Sequence, residues 1–125
     1  MKADKISKEN IRVFVMSFYA KLLQDEIVGP FFIAKLGEDI HSEQWKTHLE
    51  VIVGFWISLA LGKPRYTGSL FVPHTKLGNV KRETFEQWLK LFRISLDEVY
   101  ISPIAEKFEE RAIIIAGNFM RNLGL

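Results

Sequence analysis

The sequence predicts an all-α fold. Apolar residues recur at helical spacing along most of the chain, no segment sustains a period-two alternation, and serine and proline signals mark where the periodic stretches begin. At 125 residues, 48% hydrophobic and 13% aromatic, the chain has the size of a single domain over 1–125 and enough apolar side chain to enclose a core. Ten Phe and three Trp are generous for that length and suit a core that also wraps something large and apolar.

Ser7 is placed to cap a first helix running to about Leu23, with Ile11, Phe14 or Val15, Phe18 and Leu22 on one face. Asp25 then starts a short helical turn, which Gly29-Pro30 is expected to interrupt, and Phe31-Phe32 follows at once. Gly37 to Ile40 reads as a loop. Ser42 opens the next helix, to about Leu61, whose stripe is Trp45, His48 or Leu49, Ile52, Phe55 or Trp56, and Leu59. Gly62, Pro64 and Gly68 enforce an extended connection. A short helix around Leu70 to Lys76 carries His74, and Gly78-Asn79 ends it. A long helix from about Lys81 to Tyr100 turns Phe85, Trp88 or Leu89, Phe92 and Leu96 inward. Ser102 followed by Pro103 reads as a cap and a first helical residue, opening a last helix with Ile104, Phe108, Ile115 and Phe119 inward.

Composition removes several function classes. The net charge of +2 is spread over interspersed Lys, Arg, Asp and Glu, so no basic stripe argues for nucleic acid. Without cysteine there are no disulfides, iron–sulfur clusters or thiolate ligands, which agrees with a reducing, cytoplasmic setting. Met1 to Asn10 is charged throughout and has no signal-peptide core. The longest apolar stretch, Val51 to Leu61, falls well short of the roughly 20 residues a membrane span needs.

Four side chains stand out: Tyr19 on the first helix, His48 on the stripe of the next, His74 in the long irregular connection, and Trp88 inward on the helix that follows. Each has a plain alternative. Tyr19 can snorkel its hydroxyl to solvent, His48 can be a satisfied core histidine, Trp88 can be core, His74 beside Pro73 can cap or lie on the surface, and Phe31-Phe32 can simply pack. His41 reads as solvated. Taken together, one histidine can ligate an iron, while the other lines the opposite face of a flat cofactor with the tyrosine and the indole. A zinc site is weakly supported: His41 and His48 share a helix face, but Glu43, Glu50 or a third histidine would have to join them. The glycines are dispersed rather than gathered in a phosphate loop, no serine elbow is present, and Glu109-Glu110 reads as a solvated face.

The ordered set of strings carries a resemblance. Phe18-Tyr19, Gly29-Pro30-Phe31-Phe32, Trp45-x-x-His48-Leu49, Phe55-Trp56, Tyr66-x-Gly68, His74 and Phe85-x-x-Trp88-Leu89-x-x-Phe92 follow one another with compatible spacings from Phe14 to Arg93. In this order the chain resembles the truncated haemoglobins, specifically group III. It lacks the Gly-Gly pairs common in the other groups. Leu70 and Thr75 depart from the pattern around the short helix, as does Thr84, where a histidine is frequent.

The resemblance implies a truncated globin fold, a two-over-two helical sandwich around haem b (iron protoporphyrin IX), with His74 as proximal iron ligand. A neutral ring there needs an acceptor for its second nitrogen, and a backbone carbonyl near Leu70 is placed to serve. On the opposite face Tyr19, Trp88 and His48 are expected to donate hydrogen bonds to a bound diatomic molecule (O2, NO or CO), Tyr19 most strongly. Ile52 is expected to press on the ligand site and Phe31 or Phe32 to stack on the porphyrin rim. Phe18, Phe55, Trp56, Leu77, Val80 and Phe92 would complete the apolar cradle, and Arg65, Tyr66 and Lys76 would meet the propionates. Ligand carriage and dioxygenase-like or peroxidase-like chemistry, the latter drawing on a reductase, both stay open. So do a cofactor-free helical interaction module with an aromatic core and a non-haem metal site at His41 and His48.

Overall fold

In the computed structural model, residues 2–62 and 80–125 are described. The connection from Pro64, the short helix around Leu70 to Lys76 and the Gly78-Asn79 stop lie outside them. The described residues form five helices: α1 (Lys8–Gln24), α2 (Gly29–Leu36), α3 (Glu43–Leu61), α4 (Arg82–Val99) and α5 (Ser102–Asn122). No strand occurs among them, apart from one isolated bridge between Ala3 and Tyr100.

Local chemistry fixes the helix ends. The Ser7 hydroxyl accepts from the Asn10 N–H at 3.1 Å and the Asn10 side-chain carbonyl accepts from the Ser7 N–H at 2.9 Å, closing a capping box. That carbonyl also accepts from the Tyr100 hydroxyl at 2.7 Å, so the start of α1 is tied to the end of α4. The Ser42 hydroxyl accepts from the Trp45 N–H, and Gly62, at φ 67°, takes the left-handed conformation that ends α3.

Two helix starts differ from the sequence expectation. Gly29-Pro30 opens α2 rather than interrupting a helix: proline costs nothing in a first turn, whose N–H groups have no helical partner. The turn before it is held by Asp25, whose Oδ1 accepts from the N–H groups of Ile27 and Val28, both at 2.9 Å. At α5 the cap position belongs to Ile101, and Ser102 is already helical with no capping hydrogen bond. The extended backbone there is claimed by the N-terminal segment, because Ile101 donates to the Ala3 carbonyl at 3.0 Å and Ala3 donates to that of Val99 at 2.7 Å.

The layers are α1 with α3 and α4 with α5, and α1 crosses α4 between them. Contacts of Arg12 with Glu50 and of Tyr19 with His48 run α1 and α3 antiparallel. Arg93 with Glu109, and Phe85 with Phe119, do the same for α4 and α5. Phe14 sits at the crossing, its ring 5.0 Å from Phe92 and 5.7 Å from Phe108. Phe108 also meets Trp56 at 5.6 Å and stacks on Tyr100 at 5.1 Å, so aromatic contacts join both layers.

The start of α2 lies hard against the end of α1. A Cβ on Gly29 would sit 2.9 Å from the carbonyl oxygens of both Leu22 and Leu23. Gly29→Ala is therefore expected to lower the stability by about 1–3 kcal/mol in urea unfolding, because backbone atoms cannot step aside as a flexible side chain can. An unchanged midpoint would show that the corner between α1 and α2 is looser than described.

Candidate ligand-binding site

Helical spacing on α1 turns Tyr19 inward beside Phe18, and α3 brings His48 against it. The Tyr19 hydroxyl and His48 Nε2 are 3.2 Å apart. Tyr19 is 2% exposed and is surrounded by ring edges: Phe18 at 5.0 Å, His48 at 5.2 Å, Trp45 at 5.6 Å and Phe32 at 5.9 Å. Burial pushes the phenol far above its ordinary pKa, so the hydroxyl stays protonated and keeps its donor. Trp45 is itself anchored, its indole N–H donating to the Gly37 carbonyl at 2.8 Å.

Trp88 enters from α4. Its ring stacks on Phe92 at 5.1 Å and 18°, and meets Phe18 edge-on at 5.4 Å and 88°. Its N–H makes no hydrogen bond among the described residues. The preceding residue, Gln87, donates to Asp25 Oδ2 at 2.7 Å and ties α4 to the corner that opens α2. Burial works to raise the Asp25 carboxyl, but the N–H of Val28, the Gln87 amide and the N–H of Ile27 outweigh it and hold the group below its ordinary value. A loaded carboxylate thus fixes the helix one residue before Trp88.

Two cavities adjoin at Trp88 and Phe119. The inner one is walled by Tyr19, Ile52, Phe55, Trp56 and Phe92, with Phe18 beside them. The outer one is walled by Phe31, Phe32, Val80, Thr84 and Phe85. The structure therefore gathers Tyr19, Ile52, Trp88 and Phe92 on one space and Phe31, Phe32 and Trp88 on the next. His48 is absent from both walls as described, and its ring meets the inner cavity wall at the Tyr19 hydroxyl. His74, Tyr66, Leu77, Arg65 and Lys76 lie outside the described residues. His41 is exposed, with its backbone N–H on Asp39 Oδ1, and among the described residues no three histidine, aspartate or glutamate side chains gather as a metal site.

Phe119, Phe85, Thr84, Ile115 and Ala116 also border these cavities, although the sequence reading assigned them no site role. Phe85 and Phe119 were legible as inward positions of their helices. Thr84 carried no such signal: it is 7% exposed and its hydroxyl accepts from the Lys81 N–H at the start of α4.

The walls fit a haem. They are apolar and aromatic and run across both helical layers. They include the buried hydroxyl residues Tyr19 and Thr84 and the indoles of Trp56 and Trp88, whose N–H groups have no partner among the described residues. An antiparallel helical sandwich holding such a cavity defines a globin-class ligand-binding protein.

Comparison with known proteins supports the same class. No protein-family model matches the chain. It is 36% identical over 123 residues to the group 3 truncated hemoglobin ctb of Campylobacter jejuni, covering 98% of this chain and 95% of that protein. It also superimposes on the crystal structure of a group III truncated hemoglobin from Campylobacter jejuni with a TM-score of 0.90, at 36% identity and over 98% and 95% of the two chains. The chain belongs to the group III truncated haemoglobins, and globin-type binding of small diatomic ligands follows from that membership. Among the described residues no helix is long and apolar enough to cross a membrane.

Proposed function

We propose that the whole chain works as one truncated-globin domain in the cytoplasm, holding haem b through His74 and receiving O2, NO or CO on the face lined by Tyr19 and Trp88. The observation that carries this reading is the Tyr19–His48 hydrogen bond, at 3.2 Å, set in the wall of an otherwise apolar cavity that Trp88 also borders. When bound, haem supplies reversible coordination of a diatomic molecule and shifts electron density onto it. Every other contribution comes from the chain.

Tyr19 has one hydroxyl proton and can give it in one direction only. With a hydrogen on Nε2, His48 donates to the Tyr19 oxygen, and the phenol proton is left for the ligand. With Nε2 bare, Tyr19 donates to His48 and the ligand loses its strongest donor. Negative charge arriving in the cavity favours the first arrangement, so His48 acts through Tyr19. Trp88 offers the second donor, and its stack on Phe92 keeps the indole from swinging away. Ile52 limits the room beside the ligand, and Phe31 and Phe32 close the rim of the neighbouring cavity. To hold the haem, the His74 imidazole would have to be neutral, and its second nitrogen would need an acceptor such as a backbone carbonyl.

Donors that hold a charged ligand in a dry pocket also polarise its bond, and an imidazole behind the tyrosine supplies a route for a proton. Chemistry on NO or peroxide extends the same site and calls for an electron donor, which makes a reductase the partner of such a cycle.

His74→Ala is expected to abolish the Soret band of the reconstituted protein while helical content stays near that of the parent. A full-strength, unshifted Soret band in that variant would remove His74 as ligand. Tyr19→Phe is expected to speed O2 release about tenfold or more, the loss of one hydrogen bond to a charged acceptor being worth roughly 1.5–3 kcal/mol. An unchanged off-rate, measured by flash photolysis or stopped flow, would remove Tyr19 as the main donor.

A further inference from the structure

A second recognition surface lies on the outside of the sandwich. Lys107 and Arg111, one turn apart on α5, are exposed, and neither makes an ion pair or hydrogen bond among the described residues. Phe108, 3% exposed, lies between them in sequence. With Ile6 of the N-terminal segment and Trp56, Leu59 and Ala60 from the last turns of α3, these residues border an open groove. Trp56 is 4% exposed, and its indole N–H has no hydrogen-bond partner among the described residues.

The neighbouring acids leave the two cations unneutralised. Glu109 is drawn to Arg93 at 2.9 Å, and the exposed Glu106 and Glu110 pair with neither Lys107 nor Arg111. An apolar trough with two free cations on its border is complementary to a molecule with one anionic head and a hydrocarbon tail. A compact inorganic anion would leave the apolar wall unused, and two charges are too few to follow a nucleic-acid backbone.

We propose that this groove binds a medium-chain fatty acid, its carboxylate on Lys107 and Arg111 and its tail along Ile6, Leu59 and Phe108. The proposal needs no role for His74, Tyr19 or Trp88. Trp56 borders this groove and the inner cavity alike, yet the charged end of the ligand is held by α5 on the outside.

Calorimetric titration of the haem-loaded protein with octanoate tests it. One octanoate per chain is expected, with acetate (same head, no tail) and octylammonium (same tail, opposite charge) each binding at least about tenfold more weakly. In the double variant Lys107→Gln/Arg111→Gln, two exposed positions whose change leaves the helical signal intact, octanoate affinity is expected to fall about tenfold or more. Absence of octanoate binding, equal binding of octylammonium, or octanoate affinity retained by the double variant would overturn the proposal. The last result would place the fatty acid in the interior cavities.

Discussion

A single hydroxyl, buried among ring edges and satisfied by a single imidazole, constrains this molecule more than any other contact. Placing Tyr19 in the interior costs the solvation of a polar group, and that cost is met only while a partner stands at hydrogen-bond distance. His48, at 3.2 Å, is that partner, and the pairing fixes how α3 lies along α1. The rings of Phe18, Phe32 and Trp45 then close around Tyr19 and keep its hydroxyl from water. Because the hydroxyl has more capacity than one imidazole uses, the arrangement satisfies the fold and leaves an unspent valence at the cavity wall.

The rest of the helical sandwich holds that wall open. Trp88 and Phe119 stand between the two apolar spaces, and stacking on Phe92 keeps the indole in its place. Stability is recovered elsewhere: at the crossing of Phe14, Phe92 and Phe108, in the Asn10 carbonyl shared by Ser7 and Tyr100, and in Asp25, which binds the corner between α1 and α2 to α4. The hydrogen-bonded ties frame the cavity from outside, while Tyr19, Phe14 and Phe92 belong both to the packing and to the cavity wall.

Much of this was legible in the sequence. Ser7 and Ser42 announced their helices because a cap needs only the side chain and the N–H three residues on. The inward faces of α1 and α3 followed from spacing, and Tyr19, His48 and Trp88 stood out as polar atoms on apolar stripes. Gly29-Pro30 misled because the same dipeptide ends one helix and starts another, and the choice lay with Asp25, four residues earlier. Ser102 misled because Ala3, almost a hundred positions away, claims the backbone beside it. Thr84 gave no signal at all, since a small polar residue in a first turn looks alike whether it faces solvent or a cavity. The family resemblance rested on the order of weak strings, none of them diagnostic alone.

The proposed linkage of His48 to the ligand through the Tyr19 hydroxyl is tested most directly by a double-mutant cycle on O2 dissociation from the haem-loaded protein, comparing the parent with Tyr19→Phe, His48→Leu and the double variant. If one proton serves both groups, the double variant releases O2 at the rate of Tyr19→Phe alone, within about twofold. If the two single effects multiply in the double variant, His48 reaches the ligand independently and the shared hydroxyl is not the centre of the site.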